Sequence, residues 1–486
     1  NLGKEIQARG KISSIIKYHD NYFVGFIMDG VLVLEKQKNG SEYQIQQLPI
    51  NSGVFCLAKD RFQDVVWIGT DGQGVYLYSN PFYSIKSVVL NNYTAKIERP
   101  VRALYLDAEK TLWVGTKGNG ILKIYDYEVN KDISDCRAET VTTTNSALGS
   151  NAVYCFAKRH RNVLWIGDEE GLNYYSYREK RMKKVPVLIG NENIKYIHDV
   201  YETAGSELWL ASVGMGVVRA RIAGTPDNPV LEDMQRYVIN EGEFSSNHFF
   251  TIYSESDHDL LFGNKGYGAF RFNEVTNGLE PISTHKYENV TLNNILAISK
   301  DSSNHYLFGT SSGLIKYTSE TSYQLFNVKN GFLNNTVHAI LKNAPDDFWM
   351  GTNLGLVNFD SKRDVFRSYG FGDGLKVVEF SDGAAFRDPQ TGTLFFGGIN
   401  GFVTIQADGL PEQLYMPPIC FDKLSIFGEQ YNLGEFITKK KQNEVLNLKY
   451  DQNFFAVSFT SVDYLNGNNY VYFYKLKGLS DQWINN

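Results

Sequence analysis

The chain has 486 residues, of which 43% are hydrophobic and 21% are charged, and this composition predicts a folded protein of more than one domain. Its formal net charge of −6 offers no basic surface for phosphate groups, so nucleic acid and anionic membranes are excluded as expected partners of this region. No apolar stretch approaches the ~18 residues that cross a bilayer, and the four cysteines lack metal-ligand spacing.

A short motif recurs along most of the chain. Its clearest copy, LWVGTKGNGILKI at residues 112–124, has a tryptophan, a glycine, a polar turn closed by another glycine, and an alternating apolar run. Nine copies follow one another at steps of about 42 to 52 residues, the period of a four-stranded β-propeller blade. The first small residue of the motif stands at Gly25, Gly69, Gly115, Gly167, Ala211, Gly263, Gly309, Gly351 and Gly397.

Each copy can be divided into the strands of one blade. In the clearest copy, residues 101–107 are the predicted innermost strand, 111–116 the second and 121–127 the third, with a turn at 117–120. The same division predicts further innermost strands at 152–158, 194–202, 249–255, 295–300, 337–341 and 382–386. The tryptophans expected to have a structural role are Trp67, Trp113, Trp165, Trp209 and Trp349. The residues expected to pack between neighbouring blades are Trp113, Trp165, Trp209, Phe262, Phe308, Trp349 and Phe395.

Two other features of the blades carry expectations about side chains. Cys56 and Cys155 occupy equivalent positions in innermost strands of different blades, so both are expected to be small buried side chains. Asp107 and Trp113 faintly resemble the aspartate box of sialidase propellers, in which the aspartate staples a hairpin and takes no part in catalysis.

Blades must close into rings, because one blade cannot bury both faces of its sheet. The repeat is interrupted at residues 79–100, which we interpret as the segment that connects two rings. We therefore predict two blades of a truncated N-terminal propeller at 1–80 and a seven-bladed propeller at 81–410. A ring of eight or nine blades is the alternative.

The period stops after residue 407, and Pro417 and Pro418 mark a linker. Residues 411–486 are predicted to be an incomplete immunoglobulin-like β-sandwich, because four strands are visible where a complete sandwich has about seven. These strands are predicted at 419–427, 442–450, 454–461 and 470–476, and the last of them carries Tyr470, Tyr472 and Tyr474 on one face. The fold class is therefore all-β, and the chain is interpreted as a fragment of a longer protein.

The blade motif, as in LWVGTKGNGIL and FWMGTNLGLVNF, resembles the two-component regulator propeller repeat. The segment DQNFFAVSFTSVDYLNGNNYVYFYKLKGLSDQW resembles the triple-tyrosine domain that follows such repeats, and its matching positions are Tyr470, Tyr472, Tyr474, Gly478 and Trp483. Together they resemble the periplasmic sensor part of bacterial hybrid two-component systems. The departures are Ala211 in place of glycine, and phenylalanine in place of tryptophan in three later blades.

The resemblance implies a periplasmic sensor that belongs to an inner-membrane protein. Such systems typically have two seven-bladed propellers, the triple-tyrosine module, a membrane helix, a histidine kinase and a response regulator. It implies an oligosaccharide or glycan breakdown product as ligand, a homodimer, no cofactor or metal, and control of carbohydrate-utilisation genes. The membrane segment and the kinase are expected in parts of the protein outside this chain, so this region is not expected to be an enzyme.

Catalytic motifs are not evident in the sequence. The eight histidines are scattered over different copies, and no HExxH or GxSxG occurs. The Gly-x-Gly pieces lie between antiparallel strands and do not open a helix, so they are read as turns. A propeller lyase or hydrolase stays an alternative, and a protein-interaction scaffold is a second one.

Candidate ligand-binding residues share one rim of the seven-bladed ring, before innermost strands or in the turn after the second strand. Amides, a guanidinium and aromatic rings suit the hydroxyls and faces of a sugar. The candidates are Arg99, Lys117, Asn151, Asp168, Tyr196, Asn247, His248, Tyr267, Asn294 and Asn335. The alternatives are that the asparagines cap turns, and that the ligand lies between two rings.

Overall fold

The computed structural model describes residues 6–36, 43–79, 83–91, 97–129, 131–239, 246–283, 293–319, 322–330, 332, 334–371, 375–407, 417–440, 443–464, 472–475, 478 and 484–485. The chain forms two compact units, Asn1–Phe82 with Gly409–Tyr470, and Tyr83–Asp408 with Val471–Asn486. Both consist almost wholly of antiparallel sheets, and the predicted all-β propeller class is confirmed. Within the described ranges, no helix combines the length and the apolar composition needed to cross a bilayer.

The first unit contains two consecutive blades. Their facing sides share an apolar core that includes Tyr18, Phe23, Val54 and Ile68. The four-stranded blade consists of β1 (Ile12–Tyr18), β2 (Asn21–Phe26), β3 (Val31–Lys36) and β4 (Tyr43–Gln47). The three-stranded blade consists of β5 (Val54–Lys59), β6 (Val65–Thr70) and β7 (Val75–Ser79).

The second unit contains seven four-stranded sheets. The first strand of each sheet contacts the first strand of the next, and that of the last sheet contacts that of the first, so the sheets close into a ring. The seven sheets are called blades 1 to 7 in chain order, with their innermost strand first. Between blades 2 and 3 lies a short hairpin, and short 3₁₀ helices occupy Ile133–Asp135 and Val328–Asn330.

The strand preceding blade 1 is β8 (Tyr83–Val89). Blade 1 has β9 (Val101–Leu106), β10 (Leu112–Thr116), β11 (Ile121–Ile124) and β12 (Ala138–Val141). Blade 2 has β13 (Val153–Ala157), β14 (Val163–Asp168), β15 (Leu172–Ser176) and β16 (Arg181–Val185), and the hairpin after it has β17 (Leu188–Ile189) and β18 (Glu192–Asn193). Blade 3 has β19 (Ile197–Glu202), β20 (Glu207–Ser212), β21 (Gly216–Thr225) and β22 (Asn228–Tyr237).

The remaining blades repeat the same order. Blade 4 has β23 (Phe249–Ser256), β24 (Asp259–Asn264), β25 (Gly268–Asn273) and β26 (Gly278–Ser283). Blade 5 has β27 (Ile295–Lys300), β28 (Tyr306–Thr310), β29 (Gly313–Ser319) and β30 (Ser322–Phe326). Blade 6 has β31 (Val337–Ala344), β32 (Asp347–Thr352), β33 (Gly355–Asp360) and β34 (Val365–Tyr369). Blade 7 has β35 (Phe380–Arg387), β36 (Leu394–Gly398) and β37 (Gly401–Ala407), followed by β8 as its outermost strand.

The ring is closed by a strand from its N-terminal side. β8 pairs antiparallel with β37, from Tyr83 opposite Ala407 to Val89 opposite Gly401. The segment 79–100, which we interpret from the sequence as connecting two rings, therefore also supplies the outermost strand of blade 7. This strand joins the last blade to the chain before the first one, and among the described residues the ring closes with seven four-stranded sheets.

Three motif tryptophans of the ring, Trp113, Trp165 and Trp209, lie in apolar clusters shared by neighbouring blades. Trp113 of blade 1 is 1% exposed, and its ring centroid lies 4.8 Å from that of Tyr175 in blade 2. Its Nε1 donates to Asp107 Oδ2 at 2.8 Å, and Asp107 Oδ1 also accepts the amides of Glu109 and Thr111. Asp107 therefore staples its hairpin in the predicted way. Also fully buried are Trp165, Trp209 and Trp349.

The three-stranded blade of the first unit departs from two expectations. Cys56 is exposed, whereas its counterpart Cys155 in blade 2 is buried, so the expectation of a buried Cys56 is wrong. The reason is that, among the described residues, no further blade of the same unit covers the side of β5 that carries Cys56. Trp67 is only half-buried, and its ring centroid lies 4.8 Å from that of Tyr464 in the same unit.

The residues after the ring form small sheets. β38 (Ile419–Ile426) lies between β39 (Glu429–Tyr431) and β42 (Phe455–Ser461), and a one-turn helix occupies Leu433–Phe436. The other strands pair as two hairpins, β40 (Ile437–Lys440) with β41 (Asn443–Leu446), and β43 (Phe473–Tyr474) with β44 (Ile484–Asn485). Tyr472 is half-buried and Tyr474 is exposed, while Tyr470 and Trp483 lie outside the described residues.

Candidate functional site

Every innermost strand of the ring carries an irregularity close to its first residue. In blades 1 to 6 the register with the second strand shifts by one residue, for example between Val153 and Cys155, and in blade 7 it shifts between Phe380 and Ala385. A β-bulge leaves its extra residue unpaired and redirects the side chain. We call the seven bulged residues the channel mouth; they are Arg102, Tyr154, His198, Phe250, Leu296, His338 and Asp382.

Polar side chains of the channel mouth contact one another across blades 6, 7 and 1. His338 Nδ1 lies 2.5 Å from Asp382 Oδ1, and His338 Nε2 lies 2.7 Å from Asn353 Oδ1. Asp382 Oδ2 accepts from Arg102 Nη1 at 3.5 Å. Both ring nitrogens of His338 are therefore used inside the protein, which leaves neither of them free as a general base.

Aromatic side chains continue this arc across blades 2, 3 and 4. The Arg102 guanidinium carbon lies 5.8 Å from the centroid of the Tyr154 ring. Tyr154 and His198 are stacked with ring centroids 4.3 Å apart, and Phe250 meets His198 edge to face at 5.2 Å. The channel mouth thus has a charged side and an aromatic side.

Two ionisable groups of the mouth have pKa values far from their usual range. Burial acts to raise the pKa of Asp382, but the hydrogen bond with His338 and the charge of Arg102 lower it to about 2. Burial, followed by the charge of Arg102, lowers the pKa of His198 to about 3, so this imidazole is neutral at neutral pH. Among the described residues, neither ring nitrogen of His198 has a hydrogen-bond partner, so both can serve a ligand.

Below the mouth lies a cavity of about 240 Å³, lined by residues of all seven innermost strands. Asp199 faces this space, where its Oδ2 accepts the Ile252 amide at 2.7 Å and burial raises its pKa to about 6. Pockets that enclose drug-sized ligands measure about 300 to 1,000 Å³. A ligand longer than a single ring would therefore lie over the mouth and not inside the channel.

The two groups of predicted rim residues do lie on one rim. Lys117, in the turn after a second strand, forms an isolated antiparallel β-bridge with Ala152 at the start of blade 2. Val213 and His248 form the same kind of backbone pair. The amides of Gly118 and Gly120 both donate to the carbonyl of Asn151. This rim surrounds the channel mouth, since the bulged residues follow directly after it.

Four of the predicted site residues hold the fold together. Asn151, Asn247 and Asn335 each accept, through Oδ1, a backbone amide that follows an outermost strand, at 2.9, 2.7 and 3.0 Å. This is the turn-capping alternative. Asp168 is fully buried, and its carboxylate accepts from Ser150, Glu170, Gly171 and Asn173. Burial raises the pKa of Asp168.

The other predicted residues are more accessible. Tyr196 is 40% exposed at a φ of +51°, a region that large side chains rarely adopt. Arg99, Lys117 and His248 are exposed, while Tyr267 and Asn294 are half-buried. Their ligand contacts stay predictions.

Sequence reasoning missed the channel mouth itself, including Arg102, His198, His338 and Asp382. The signal for it is a polar or aromatic residue directly after the first apolar residue of an innermost strand, as in Val-Arg, Val-Tyr and Ile-His. In the part of the chain that the structure describes, no three His, Cys, Asp or Glu side chains could hold a metal together. What the mouth offers is a set of binding groups from several blades.

Comparisons with known proteins agree with this architecture. The chain is 23% identical over 397 residues to histidine kinase P4 of Formosa agariphila, a match that covers 79% of this chain and 28% of that protein. No protein-family model matches it. A solved extracellular domain assigned to a hybrid two-component system of B. thetaiotaomicron matches 98% of this chain with a TM-score of 0.60 and 23% identity.

A second such domain from B. thetaiotaomicron matches 98% of the chain with a TM-score of 0.54 and 17% identity. The chain spans 62% and 63% of these two solved domains. At these identities the structural matches show the fold. With the histidine kinase match, they confirm the resemblance to the extracellular part of hybrid two-component systems that the blade motif indicates.

Proposed function

We propose that the chain is the extracytoplasmic sensor region of a hybrid two-component histidine kinase and response regulator. In this proposal it binds a glycan-derived ligand, signals through a homodimer and controls transcription of carbohydrate-utilisation genes. It lies in the periplasm as the ectodomain of an inner-membrane protein. The observation that carries the proposal is the channel mouth, where bulges place polar or aromatic side chains from six of the seven blades next to the rim.

The chemistry of the mouth suits a sugar. Hydroxyl groups need donors and acceptors, and His198 has two ring nitrogens without a partner among the described residues. A neutral imidazole supplies one donor and one acceptor. Sugar faces are apolar and pack on aromatic rings, and Tyr196 offers an exposed ring on the same rim.

Signal transmission needs a ligand that binds two arrangements of the protein unequally. A ligand over the mouth touches side chains from several blades, so its binding energy depends on how those blades are arranged. Matches to solved extracellular domains over 98% of the chain support a signalling role for the region as a whole. In the proposal, the triple-tyrosine segment carries the change toward the membrane.

Thermal unfolding of the 486-residue chain with a panel of oligosaccharides tests the proposal. A specific ligand at a hundred times its Kd stabilises the folded state by about 2.7 kcal/mol. We expect saturable stabilisation by at least one glycan, with weaker binding to a His198→Ala variant. The matched control is His258→Ala. His258 lies on the turn between β23 and β24, is exposed, and pairs with Glu274.

Three results would contradict the proposal. The absence of stabilisation by any glycan would contradict a glycan ligand. Equal loss of affinity in the His198→Ala and His258→Ala variants would contradict binding at the channel mouth. Release of reducing sugar from a polysaccharide would favour the alternative of a propeller lyase or hydrolase.

A further inference from the structure

Three cations of blade 1 lie at the channel mouth and on the rim beside it. Arg102 is the bulged residue of β9, and Arg99 lies three positions before it. Lys117 follows β10, and the Arg99 side chain runs along the neighbouring Gly118, where Arg99 Cγ lies 3.4 Å from the position of an added Cβ. Lys117 and Arg102 both lower the pKa of His198, after the larger effect of burial, so both act on the mouth.

These cations are poorly neutralised. Among the described residues, neither Arg99 nor Lys117 forms an ion pair, although both are exposed. The side chain of Arg102 is 12% exposed and meets Asp382 at 3.5 Å, and its Nε is buried without a hydrogen-bond partner. A buried donor without a partner destabilises a protein, and more so when it is charged. The Arg102 guanidinium therefore has hydrogen-bonding capacity that Asp382 does not use.

Three acidic groups around the mouth already have partners. Asp382 is held by His338 at 2.5 Å in addition to Arg102. Glu169 accepts from the Ser150 hydroxyl at 3.2 Å, and Glu170 pairs with Lys195 at 2.7 Å. The blade 1 side of the mouth thus carries three cations and one exposed carboxylate, Glu98, in a chain whose net charge is −6.

Arg102 borders directly on the aromatic side of the mouth. Arg102 lies over Tyr154, which stacks on His198. A guanidinium binds carboxylate and sulfate through parallel hydrogen bonds, and a sugar ring packs on an aromatic neighbour. An acidic sugar has both features at the spacing of one ring.

We propose that the channel mouth binds an oligosaccharide with a negatively charged ring, whose carboxylate or sulfate contacts Arg99, Arg102 and Lys117. Its sugar ring lies toward Tyr154 and His198. This inference rests on the proposed function and specifies the ligand class of the same site.

Calorimetric titration of the whole chain distinguishes the acids and the neutral sugar. The probes are trigalacturonic acid, its carboxyl-reduced neutral counterpart and a sulfated disaccharide of chondroitin. We expect at least one acidic probe to bind at least about tenfold more tightly than the neutral one, because a hydrogen bond to a charged group contributes about 1.5 to 3 kcal/mol. Because the chondroitin disaccharide carries a carboxylate as well as a sulfate, its tighter binding than that of trigalacturonic acid would show that the sulfate contributes.

The test variant is the double substitution Arg99→Gln and Lys117→Gln, both at exposed positions that should leave folding intact. It is expected to weaken acidic binding at least about tenfold and neutral binding much less, because a neutral sugar has no anionic group for these cations. Lys265→Gln is the matched control, because Lys265 follows β24 as Lys117 follows β10 and is also exposed. It should change the affinity less than about twofold.

Tight binding of the neutral probe alone would overturn this inference and leave the proposed function standing. Equal weakening by Lys265→Gln and by the double variant would also overturn it, because attraction would then come from charge in general. If neither these probes nor the wider glycan panel bind, the proposed function fails as well.

Discussion

Blade 2 of the ring and the three-stranded blade of the first unit have similar sequences and different environments. Each has a bulge after the first residue of its innermost strand, at Tyr154 and at Phe55. Tyr154 is 9% exposed, whereas Phe55 is 61% exposed. The local motif therefore determines the hairpin and its bulge, but the neighbouring blade determines whether the side chains are buried and what they can do.

The largest expected difference concerns the motif tryptophan. Trp113→Ala in blade 1 should lower the free energy of unfolding by about 3 kcal/mol or more, because it opens a cavity between two blades and leaves Asp107 with one donor fewer. Trp67→Ala should lower the free energy of unfolding by only about 1 to 2 kcal/mol, because Trp67 is half-buried. Trp67 makes the same kind of hydrogen bond as Trp113, since its Nε1 donates to Asp60 Oδ2 at 3.1 Å. Denaturant unfolding of the chain measures the effect of both substitutions.

Equal effects of the two substitutions would show that the Asp–Trp hydrogen bond, and not packing between blades, gives the motif its energetic value. A near-neutral Trp113→Ala would contradict the assignment of this residue to the space between blades. Because the two units can unfold separately, each transition is followed with its own variant.

A smaller difference is expected within one strand of the ring, where two neighbouring residues have opposite pH dependence. His198 has its pKa lowered to about 3 by burial, so the unfolded chain binds its proton more readily, and its contribution to stability falls as the pH drops from 6.5 toward 3. Asp199 has its pKa raised to about 6 by burial, so its contribution is present below pH 3.8 and is lost as the pH rises through 6.

Substitution separates these two effects. Between pH 4 and 6.5, His198→Gln should make stability rise more steeply on acidification than in the unaltered chain, and Asp199→Asn should make it fall more steeply. Unfolding midpoints over this pH range measure the slopes. Two variants with the slope of the unaltered chain would show that neither group is buried in the channel. The corresponding positions of the three-stranded blade, Phe55 and Cys56, carry neither an imidazole nor a carboxylate.

The sequence predicted what repeats and missed what does not. The spacing of the glycines and tryptophans predicts the seven blades and the burial of Trp113, because each copy makes the same local hairpin. β8 was missed as a strand of blade 7, since its partner lies over 300 residues away and no motif marks it. Arg102, His198 and Asp382 were missed because a bulge, which depends on pairing, turns them toward the channel.

The candidate site shows the same division. Asn151, Asn247 and Asn335 were identified by position, and the structure gives their side-chain oxygens to backbone amides. Arg99 and Lys117 were identified by position as well, and they are exposed beside the mouth. Position alone does not separate these groups, because a residue before a strand can point to its own turn or to solvent.

The smallest effect expected from the comparison of the two blades is chemical and leaves stability unchanged. Cys56 is exposed and Cys155 is buried, and burial raises the pKa of the Cys155 thiol well above its usual value. Iodoacetamide should therefore modify Cys56 in the folded protein and reach Cys155 only after unfolding. Peptide mass spectrometry at both sites measures this, with exposed Cys420 and buried Cys136 as internal controls. Protection of Cys56 equal to that of Cys155 would mean that β5 is covered in the folded protein as β13 is in the ring.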